Sequence, residues 1–349
     1  MSALPCIVLR CDASSEMGMG HLVRCEALAA ALCAHRPCAI HFAIRGSEAA
    51  ALRAERGGWQ TLRLPLEPAV AAGALTSHVA QLAADAVVFD VREPVPDWSV
   101  DALRERPIVL ALIDDESPMR LAMDLIFSPP MPQTMQLDGS SLRGSHYIGW
   151  EWVPLRASFV NAAKLEPAPP SLSSPLLVCM GGADPAGLTL KALRALERIE
   201  TLPTITVVIG ELYAHEPELR ALCERSRHRV HLRKDVADMA GLMRLHGVAL
   251  SSFGVIAYEL AVVGLPALYL SLTRDHALCA AELERQGAAR HLGLADEVSE
   301  AQIAHALVEL HGALEARGAM AQRGRRLIDG CGARRIAAAV LEAVEKRDG

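Results

Sequence analysis

Short runs of β-type apolar residues alternate with helical stretches from the beginning of the chain. In the first half the runs CIVLR, AIHFAI, QTLRL, AVVFD, IVLALI and DLIFS are typical of buried strands. The segments between them predict helices over residues 21–34, 47–56 and 75–84. Strands that alternate with helices indicate βαβ units and a parallel sheet.

The alternation stops at residues 161–175, NAAKLEPAPPSLSSP, where four prolines and three serines exclude a helix or a central strand. It restarts with LLVCMGG, TITVVIG, RVHLR, GVALSS and ALYLSL, and ends in helices near 276–286, 300–317, 319–328 and 333–346. The pattern predicts an α/β fold of two doubly wound, Rossmann-like domains, residues 1–160 and 176–349, joined by a linker over 161–175. In such sheets ligands bind beyond the carboxyl ends of the strands, so we expect the site in a cleft between the domains.

The length of 349 residues also favours two domains, and 51% hydrophobic residues suffice for two cores. Residues 247–272 form an apolar run long enough to suggest a membrane span. Glu259 near its centre, with Gly254, Gly264 and Pro266 around it, favours instead a strand, a helix and a strand buried in a globular core.

The charge of the chain narrows the class of partner. A formal net charge of -6 without a lysine- or arginine-rich block excludes nucleic acid and anionic membranes and favours a small-molecule substrate. The apolar run PCIVL is too short for a secretory signal, so we expect a cytoplasmic protein. The nine cysteines show no metal-binding spacing, and neither a metal nor a cofactor is expected. A monomer is favoured, although the sequence leaves the oligomeric state open.

Three strand-to-helix turns carry candidate chemistry, and the first, after CIVLR, contains Asp12, Ser14, Gly18, Gly20 and His21. Glycines allow positive φ and close approach to a ligand, and a helix N-terminus disfavours an imidazolium. The histidine is therefore expected to stay neutral near pH 7 and to serve as a general base. The alternative is a merely polar residue at the start of a helix.

The second turn, GGADPAGLTLKAL, follows a buried strand with Gly181 and Gly182. Asp184 suits an N-cap and Pro185 the first helical position, so a diphosphate would fit against the amides. A plain glycine turn is the alternative.

The third turn, LSSFGVIAYELAVVGLP, offers a phosphate the hydroxyls of Ser251 and Ser252 and the backbone of Gly254. Glu259 lies on an otherwise apolar helix, where a buried carboxylate needs donors. A ribose diol would supply two hydroxyl donors, and an arginine of the protein is the alternative partner.

The sequence RCDASSEMGMGHLVRCEALA resembles the signature of hydrolases that remove the nucleotide from UDP-2,4-diacetamido-2,4,6-trideoxy-β-L-altrose in pseudaminic acid biosynthesis, and of related spore-coat polysaccharide proteins. LIDDESPMR, GWEWVPLRASF and GGADPAGLTLKAL are similar to the same group, over residues 9 to about 290. The stretch from VADMAGLM to YELAVVGLPALYLSL also resembles the donor-nucleotide domain of the lipid II-forming N-acetylglucosaminyltransferase. Both groups have the two-domain GT-B fold.

The resemblance implies roles by position. His21 matches a histidine proposed to activate water for attack at the anomeric carbon, with inversion. Glu259 matches a ribose-binding glutamate, and Val236 to Met239 match a loop against uracil. The implied nucleotide-binding residues are Gly181, Gly182, Val236, Met239, Ser251, Ser252, Gly254 and Glu259. The expected substrate-binding residues are Arg10, Asp12, Gly18, Gly20, Arg24, Asp90, Arg92, Asp275 and His276.

The chain departs from the family on the sugar side. The usual Asp-His-Tyr is Asp90, Val91 and Arg92, so the sugar-site tyrosine is absent, and an Asn-Gln pair is replaced by Asp275 and His276. The usual GGST turn has become SSFG. We therefore expect a UDP-sugar hydrolase, with two alternatives: a glycosyltransferase of the same fold, or an inactive homologue that binds nucleotide sugars.

Overall fold

The computed structural model describes residues 4–14 and 16–348. These divide into two compact units, one formed by Met1–Ala157 with Cys331–Gly349 and the other by Ser158–Gly330. Each unit is built on one parallel β-sheet, as the alternation of strands and helices predicts.

The sheet of the first unit has seven strands in the order β3-β2-β1-β4-β5-β6-β7. They are β1 (Cys6–Ala13), β2 (Ala39–Gly46), β3 (Gln60–Leu64), β4 (Ala86–Asp90), β5 (Val109–Ile113), β6 (Leu125–Ser128) and β7 (Ser145–Ile148). The helices are α1 (Gly20–His35), α2 (Glu48–Arg56), α3 (Pro68–Leu82), α4 (Asp97–Arg104) and α5 (Pro132–Met135), and the C-terminal α14 (Gly332–Asp348) joins them.

The central strand β1 shows why this sheet is covered on both faces. Side chains of a strand alternate between the two faces of the sheet. Ile7 and Leu9 belong to one apolar cluster with residues of α1 and α14, whereas Val8 belongs to a second cluster with residues of α3 and α4. A strand that is buried on both sides therefore reads as a continuous apolar run, as CIVL does.

The sheet of the second unit has six strands in the order β10-β9-β8-β11-β12-β13. They are β8 (Leu176–Cys179), β9 (Ile205–Ile209), β10 (Val230–Lys234), β11 (Val248–Ser252), β12 (Ala267–Ser271) and β13 (Arg290–Leu294). The helices are α6 (Ala157–Ala163), α7 (Leu188–Leu196), α8 (Glu216–Arg225), α9 (Met239–Arg244), α10 (Val255–Val263), α11 (Arg274–Arg285), α12 (Glu300–Gly312) and α13 (Leu314–Leu327).

The apolar run at residues 247–272 forms β11, α10 and β12, which confirms the globular interpretation. Within residues 4–14 and 16–348, no helix is long and apolar enough to cross a membrane.

The C-terminal helix α14 lies in the first unit, so its assignment to the second domain is wrong. Its buried stripe packs into the same apolar cluster as β1 and α1, and consists of Ile336, Ala337, Val340, Leu341 and Val344. A helical stripe with this spacing reveals that one face is buried, but not which sheet will cover it.

Residues 161–175 are also more than a linker, because they belong to the second unit and are fastened to it. Arg244 donates hydrogen bonds to the carbonyl oxygens of Leu165 and Glu166, at 3.1 and 3.0 Å, and Arg317 donates to that of Ser171 at 3.2 Å. We call residues 164–175 the proline strap. The prolines prevent a helix or a central strand in the strap, and guanidinium groups donate hydrogen bonds to its backbone carbonyl oxygens instead.

Most predicted elements are confirmed to within a few residues, and three parts of the prediction differ from the structure. Helix α3 begins at Pro68 rather than near residue 75, because Glu67 caps it by accepting from the amides of Ala69 and Val70. The predicted helix 300–317 ends at Gly312, and a new helix starts at Leu314. Strands β7 and β13 are not predicted from the sequence.

The packing of α14 predicts which unit a core mutation will destabilise. Leu341→Ala should lower the free energy of unfolding of the first unit by about 2–5 kcal/mol, because it leaves a cavity among buried apolar side chains. Hydrogen exchange should show faster exchange in α1 than in the wild type. The control Arg334→Ala changes an exposed residue of the same helix. Unchanged protection of α1 in Leu341→Ala would contradict the assignment.

Candidate functional site

Each sheet has one point at which the strand order reverses, between β1 and β4 in the first unit and between β8 and β11 in the second. Ligands of open α/β sheets bind beyond the carboxyl ends of the strands at such points. All three strand-to-helix turns singled out in the sequence lie there, since they follow β1, β8 and β11.

The turn between β1 and α1 is shaped by Gly18, whose φ is +79°. The amide of Ser14 donates to the carbonyl oxygen of Gly18 at 3.3 Å, which closes the turn. Gly20, expected to share the unusual φ, is instead the first residue of α1. Ser15, which the quoted motif includes, lies outside the described residues. The N-cap of α1 is Met19, whose side chain makes no capping hydrogen bond.

His21, in the first turn of α1, is paired with Asp90 at the end of β4. Its Nδ1 lies 2.6 Å from Asp90 Oδ1, and also 3.1 Å from Arg24 Nη2. The carboxylate can only accept and the guanidinium can only donate, so the shorter contact identifies Nδ1 as a donor to Asp90. In a neutral imidazole with this tautomer, Nε2 carries the lone pair, and no residue in the described part of the chain bonds to Nε2.

Asp90 is held from its other side by Arg24, one turn further along α1. Arg24 Nε donates to Asp90 Oδ2 at 2.8 Å and Nη2 to Oδ1 at 2.6 Å, while Nη1 donates to Asp114 Oδ2 at 2.6 Å. Burial by itself would raise the pKa of the Asp90 carboxyl, but Arg24 and His21 outweigh it and the pKa lies below the ordinary value. Asp90 is thus an ionised group without exposed surface.

The pKa of Arg24 is correspondingly raised. Burial alone would lower it, but the charges of Asp90 and Asp114 overcome that effect. Arg24 is therefore a permanent cation between two carboxylates, and it fixes the position of the group that orients His21.

A second buried network is centred on Asp12. It accepts hydrogen bonds from Arg10 and Arg45, both at 2.9 Å, and from the amide of Arg92 at 2.7 Å. Burial alone would raise the pKa of the Asp12 carboxyl, but these partners lower it. Asp12 thereby ties β1 to β2 and to the segment that follows β4.

Four of the expected substrate-binding residues are buried. At most 6% of each of Arg10, Asp12, Arg24 and Asp90 is exposed. Their hydrogen bonds join them to one another and to neighbouring strands, and their contact with substrate stays a prediction. Arg92, by contrast, has an exposed side chain next to this network.

In the second unit, Gly181 has φ +85° and lies two residues after the end of β8. Gly187 is the N-cap of α7, so the expected N-cap at Asp184 is wrong. The Asp184 carboxylate nevertheless accepts from the amides of Leu188 and Thr189 at 2.8 and 2.7 Å. Pro185 precedes the helix, so its expected place at the first helical position is wrong. These two amides are already bonded, and a diphosphate would have to meet the turn itself, where the space beside Gly182 is open.

The turn after β11 completes this surface. Ser251 is buried and its hydroxyl donates to the carbonyl oxygen of Cys179 at 2.6 Å, so it is a strand-to-strand tie rather than a phosphate contact. Ser252 Oγ lies 3.9 Å from the position that a Cβ on Gly181 would occupy. Gly254 precedes α10, which has no side-chain cap. The candidate phosphate donors are therefore Ser252 and the backbone of Gly182 and of early α10.

Phe253 anchors this turn in the core. Its ring packs against Tyr258 and Tyr269 at 6.0 Å and against His276 at 5.9 Å between centroids. The structure therefore brings His276 beside the turn that follows β11, while the neighbouring Asp275 is exposed at the start of α11.

The remaining nucleotide-binding candidates lie on α10 and between β10 and α9. Glu259 lies on α10 and only 6% of it is exposed. Val236 is half-buried and follows β10, and Met239 is the buried first residue of α9. Strand β10 is two strands away from β8, which corresponds to about 10 Å along the edge.

Asp114 and Arg45 belong to the two buried networks, and the sequence analysis missed both. Asp114 directly follows the buried strand β5, just as Asp90 ends β4. Acidic residues at the carboxyl ends of neighbouring parallel strands are the signal that could have identified the cluster. In the described part of the chain, no group of three or more histidine, cysteine, aspartate or glutamate side chains could hold a metal ion.

The two sheets and their strand orders define the class of protein: the chain has the GT-B fold, with two Rossmann-like domains. MurG from Acinetobacter baumannii matches 97% of this chain and 100% of its own with a TM-score of 0.70 at 14% identity. UDP-GlcNAc 2-epimerase from Neisseria meningitidis, solved with UDP-GlcNAc bound, matches with a TM-score of 0.64 at 13% identity, over 97% and 100% of the two chains.

In sequence, the chain is 24% identical to the spore coat polysaccharide biosynthesis protein SpsG of Bacillus subtilis (strain 168), over 96% of this chain and 97% of that protein. The resemblance to the group that includes the spore-coat polysaccharide proteins is thereby confirmed. No family model matches the chain.

The pKa of Asp90 predicts an acid-dependent stability. Because the folded-state pKa lies below the unfolded-state value, the stabilisation is complete above about pH 4 and is lost as pH falls through the folded-state pKa. The free energy of unfolding should therefore fall less steeply below pH 4 in Asp90→Asn than in the wild type. The exposed Asp101→Asn should keep the wild-type slope. Equal slopes in wild type and Asp90→Asn would refute an ionised, stabilising Asp90.

Proposed function

We propose that the protein hydrolyses a UDP-activated diacetamido-trideoxy sugar, or a close analogue, at the anomeric C–O bond, and that His21 is the general base. The observation that carries the proposal is the His21–Asp90 pair at the point where the first sheet reverses its strand order. The similarity to SpsG supports a role in the biosynthesis of surface polysaccharide.

In the proposed reaction, Nε2 of His21 takes a proton from water while the water oxygen attacks the anomeric carbon. The bond from that carbon to the diphosphate oxygen breaks, UDP leaves with the bonding electrons, and the anomeric configuration inverts. Asp90, accepting from Nδ1–H, holds the required tautomer and stabilises the imidazolium that forms. Arg24 keeps Asp90 ionised and in place.

The second unit would bind the nucleotide. Ser252, Gly182 and the uncapped start of α10 supply hydroxyl and amide donors for the diphosphate. Glu259 would accept from the ribose hydroxyls, and the segment from Val236 to Met239 would lie against uracil. The UDP-GlcNAc bound to the epimerase of the same fold supports this choice of ligand. Such donors can stabilise a leaving diphosphate without a metal or another cofactor.

A glycosyltransferase is the second candidate, because the same base would deprotonate an acceptor hydroxyl as readily as water. The exposed Arg92, where the resembling hydrolases have a sugar-site tyrosine, favours keeping this alternative. Measuring the release of UDP from candidate UDP-sugars, with and without acceptors, distinguishes the hydrolase, the glycosyltransferase and the inactive homologue. Release without acceptor supports hydrolysis, release that requires acceptor supports transfer, and tight binding without release indicates an inactive homologue.

His21→Ala should lower turnover by roughly 10²–10⁴ while UDP affinity stays nearly unchanged, since the lost group acts on the proton and not on the nucleotide. Steady-state release of UDP and calorimetric titration with UDP measure the two effects. His35→Ala, an exposed histidine at the other end of α1, is the matched control. A wild-type rate in His21→Ala would remove His21 from the mechanism.

Gly182→Ala tests the proposed diphosphate contact in the glycine turn between β8 and α7. An added Cβ at Gly182 meets no protein atom within 4 Å, so the variant should fold normally and only a ligand would contact the methyl group. UDP affinity should fall about tenfold or more if one charged hydrogen bond is lost. Gly312→Ala, another substitution into open space in the same unit, should bind UDP like the wild type. Equal UDP affinity in both variants would place the diphosphate elsewhere.

A further inference from the structure

A cavity with a volume of about 240 Å³ lies in the second unit, beneath the proline strap. Its walls include Gly247 and Pro266, which precede β11 and β12, whereas the proposed diphosphate contacts Ser252 and Gly254 lie at the opposite end of β11. Five residues of strand at about 3.3 Å each separate the two places by roughly 16 Å. The cavity is therefore distinct from the proposed nucleotide site.

The lining of this cavity has more positive than negative side chains. Three arginines line it, Arg244, Arg317 and Arg325, and Glu166 is the only acidic lining residue. The Glu166 side chain is 91% exposed and lies 3.2 Å from Arg325, a geometry in which an ion pair is largely screened by water. The lining thus carries a net charge of about two positive units when His246 is neutral.

Arg317 shows the imbalance most clearly, because it is completely buried. Its guanidinium donates to the carbonyl oxygens of Ser171, His311 and Gly247, at 3.2, 2.9 and 3.1 Å. Its Nε has no hydrogen-bond partner among the described residues, and no carboxylate there forms a salt bridge with it. A buried cation without an anionic partner is costly, and it makes the potential around it positive.

His246 adds a second unsatisfied group to the lining. Its Nδ1 lies 2.8 Å from the carbonyl oxygen of Leu242, to which it must donate, and its Nε2 is buried without a partner in the described part of the chain. Arg244 and Arg325, which are less buried than Arg317, also keep N–H groups beyond those bonded to the proline strap and to the carbonyl oxygen of Ala163.

We infer that this cavity binds a small oxyanion, a phosphate or a carboxylate, through Arg244 and Arg325. Planar guanidinium groups match the oxygen geometry of both anions. The buried charge of Arg317 attracts the anion without contacting it, and the volume suits a small ion with its waters. The bound anion would supply the negative charge that the described lining lacks. This inference does not depend on the proposed sugar-nucleotide chemistry.

Thermal unfolding and calorimetric titration of the full chain with sodium phosphate, sodium acetate and sodium chloride at matched ionic strength test the inference. Phosphate or acetate should raise the melting temperature above the chloride value, since a ligand of the folded state stabilises it. The comparison of the first two salts identifies the preferred anion. The effect should persist with saturating UDP, because the two sites are separate.

Two variants distinguish the cavity from general surface charge. Arg244→Gln should weaken anion binding about tenfold or more. Ala321→Leu fills part of the cavity and retains all three arginines, so it should weaken binding even if Arg244→Gln disturbs the proline strap. Arg229→Gln, an exposed arginine of the same unit outside the cavity, should bind like the wild type. A response no larger than that to chloride, a response equal in all variants, or its loss with UDP would overturn the inference.

Discussion

The buried carboxylate of Asp90 is the constraint on which the arrangement of the first unit depends. It ends a central strand, has no exposed surface, and is paired with His21 and Arg24 from successive turns of one helix. An ionised carboxylate is tolerated in such a place only when its oxygens are fully bonded. Helix α1 must therefore begin where it does, and Gly18 makes this possible by turning the chain sharply after β1.

The two units use the same topology for different chemistry. In each, the first and fourth strands are neighbours and their carboxyl ends lie side by side. The first unit fills this position with ion pairs that involve Asp12, Asp90 and Arg24. In the second unit the same position is occupied by Gly181, Gly182 and Ser252, which expose backbone groups and one small hydroxyl side chain. The first arrangement suits the orientation of a base, and the second suits close approach of a ligand.

The sequence predicts those parts of the fold whose signal is local. The strand-helix-strand at residues 247–272 is confirmed because its residues are buried whatever surrounds them. Helix α14 was assigned to the wrong domain, because an apolar stripe does not identify its partner sheet. The glycine turn before His21 is a local signal, and it makes His21 a candidate base in the sequence. Its partner Asp90 is 69 positions away, and only strand order brings the two together.

The distribution of charge also supports the proposed position of the diphosphate in the second unit. Asp12, Asp90 and Asp114 lie at the carboxyl edge of the first sheet, where their charges are balanced by arginines already bonded to them. All three guanidinium nitrogens of Arg24 and two of those of Arg45 already donate to carboxylates, and these carboxylates would repel a phosphate. In the second unit Asp184 is the buried acid near the glycine turn, and both its oxygens are bonded to the start of α7. An anion at Ser252 and Gly182 would therefore meet donors, and a neutral sugar fits the charge-balanced surface around His21 better than a diphosphate does.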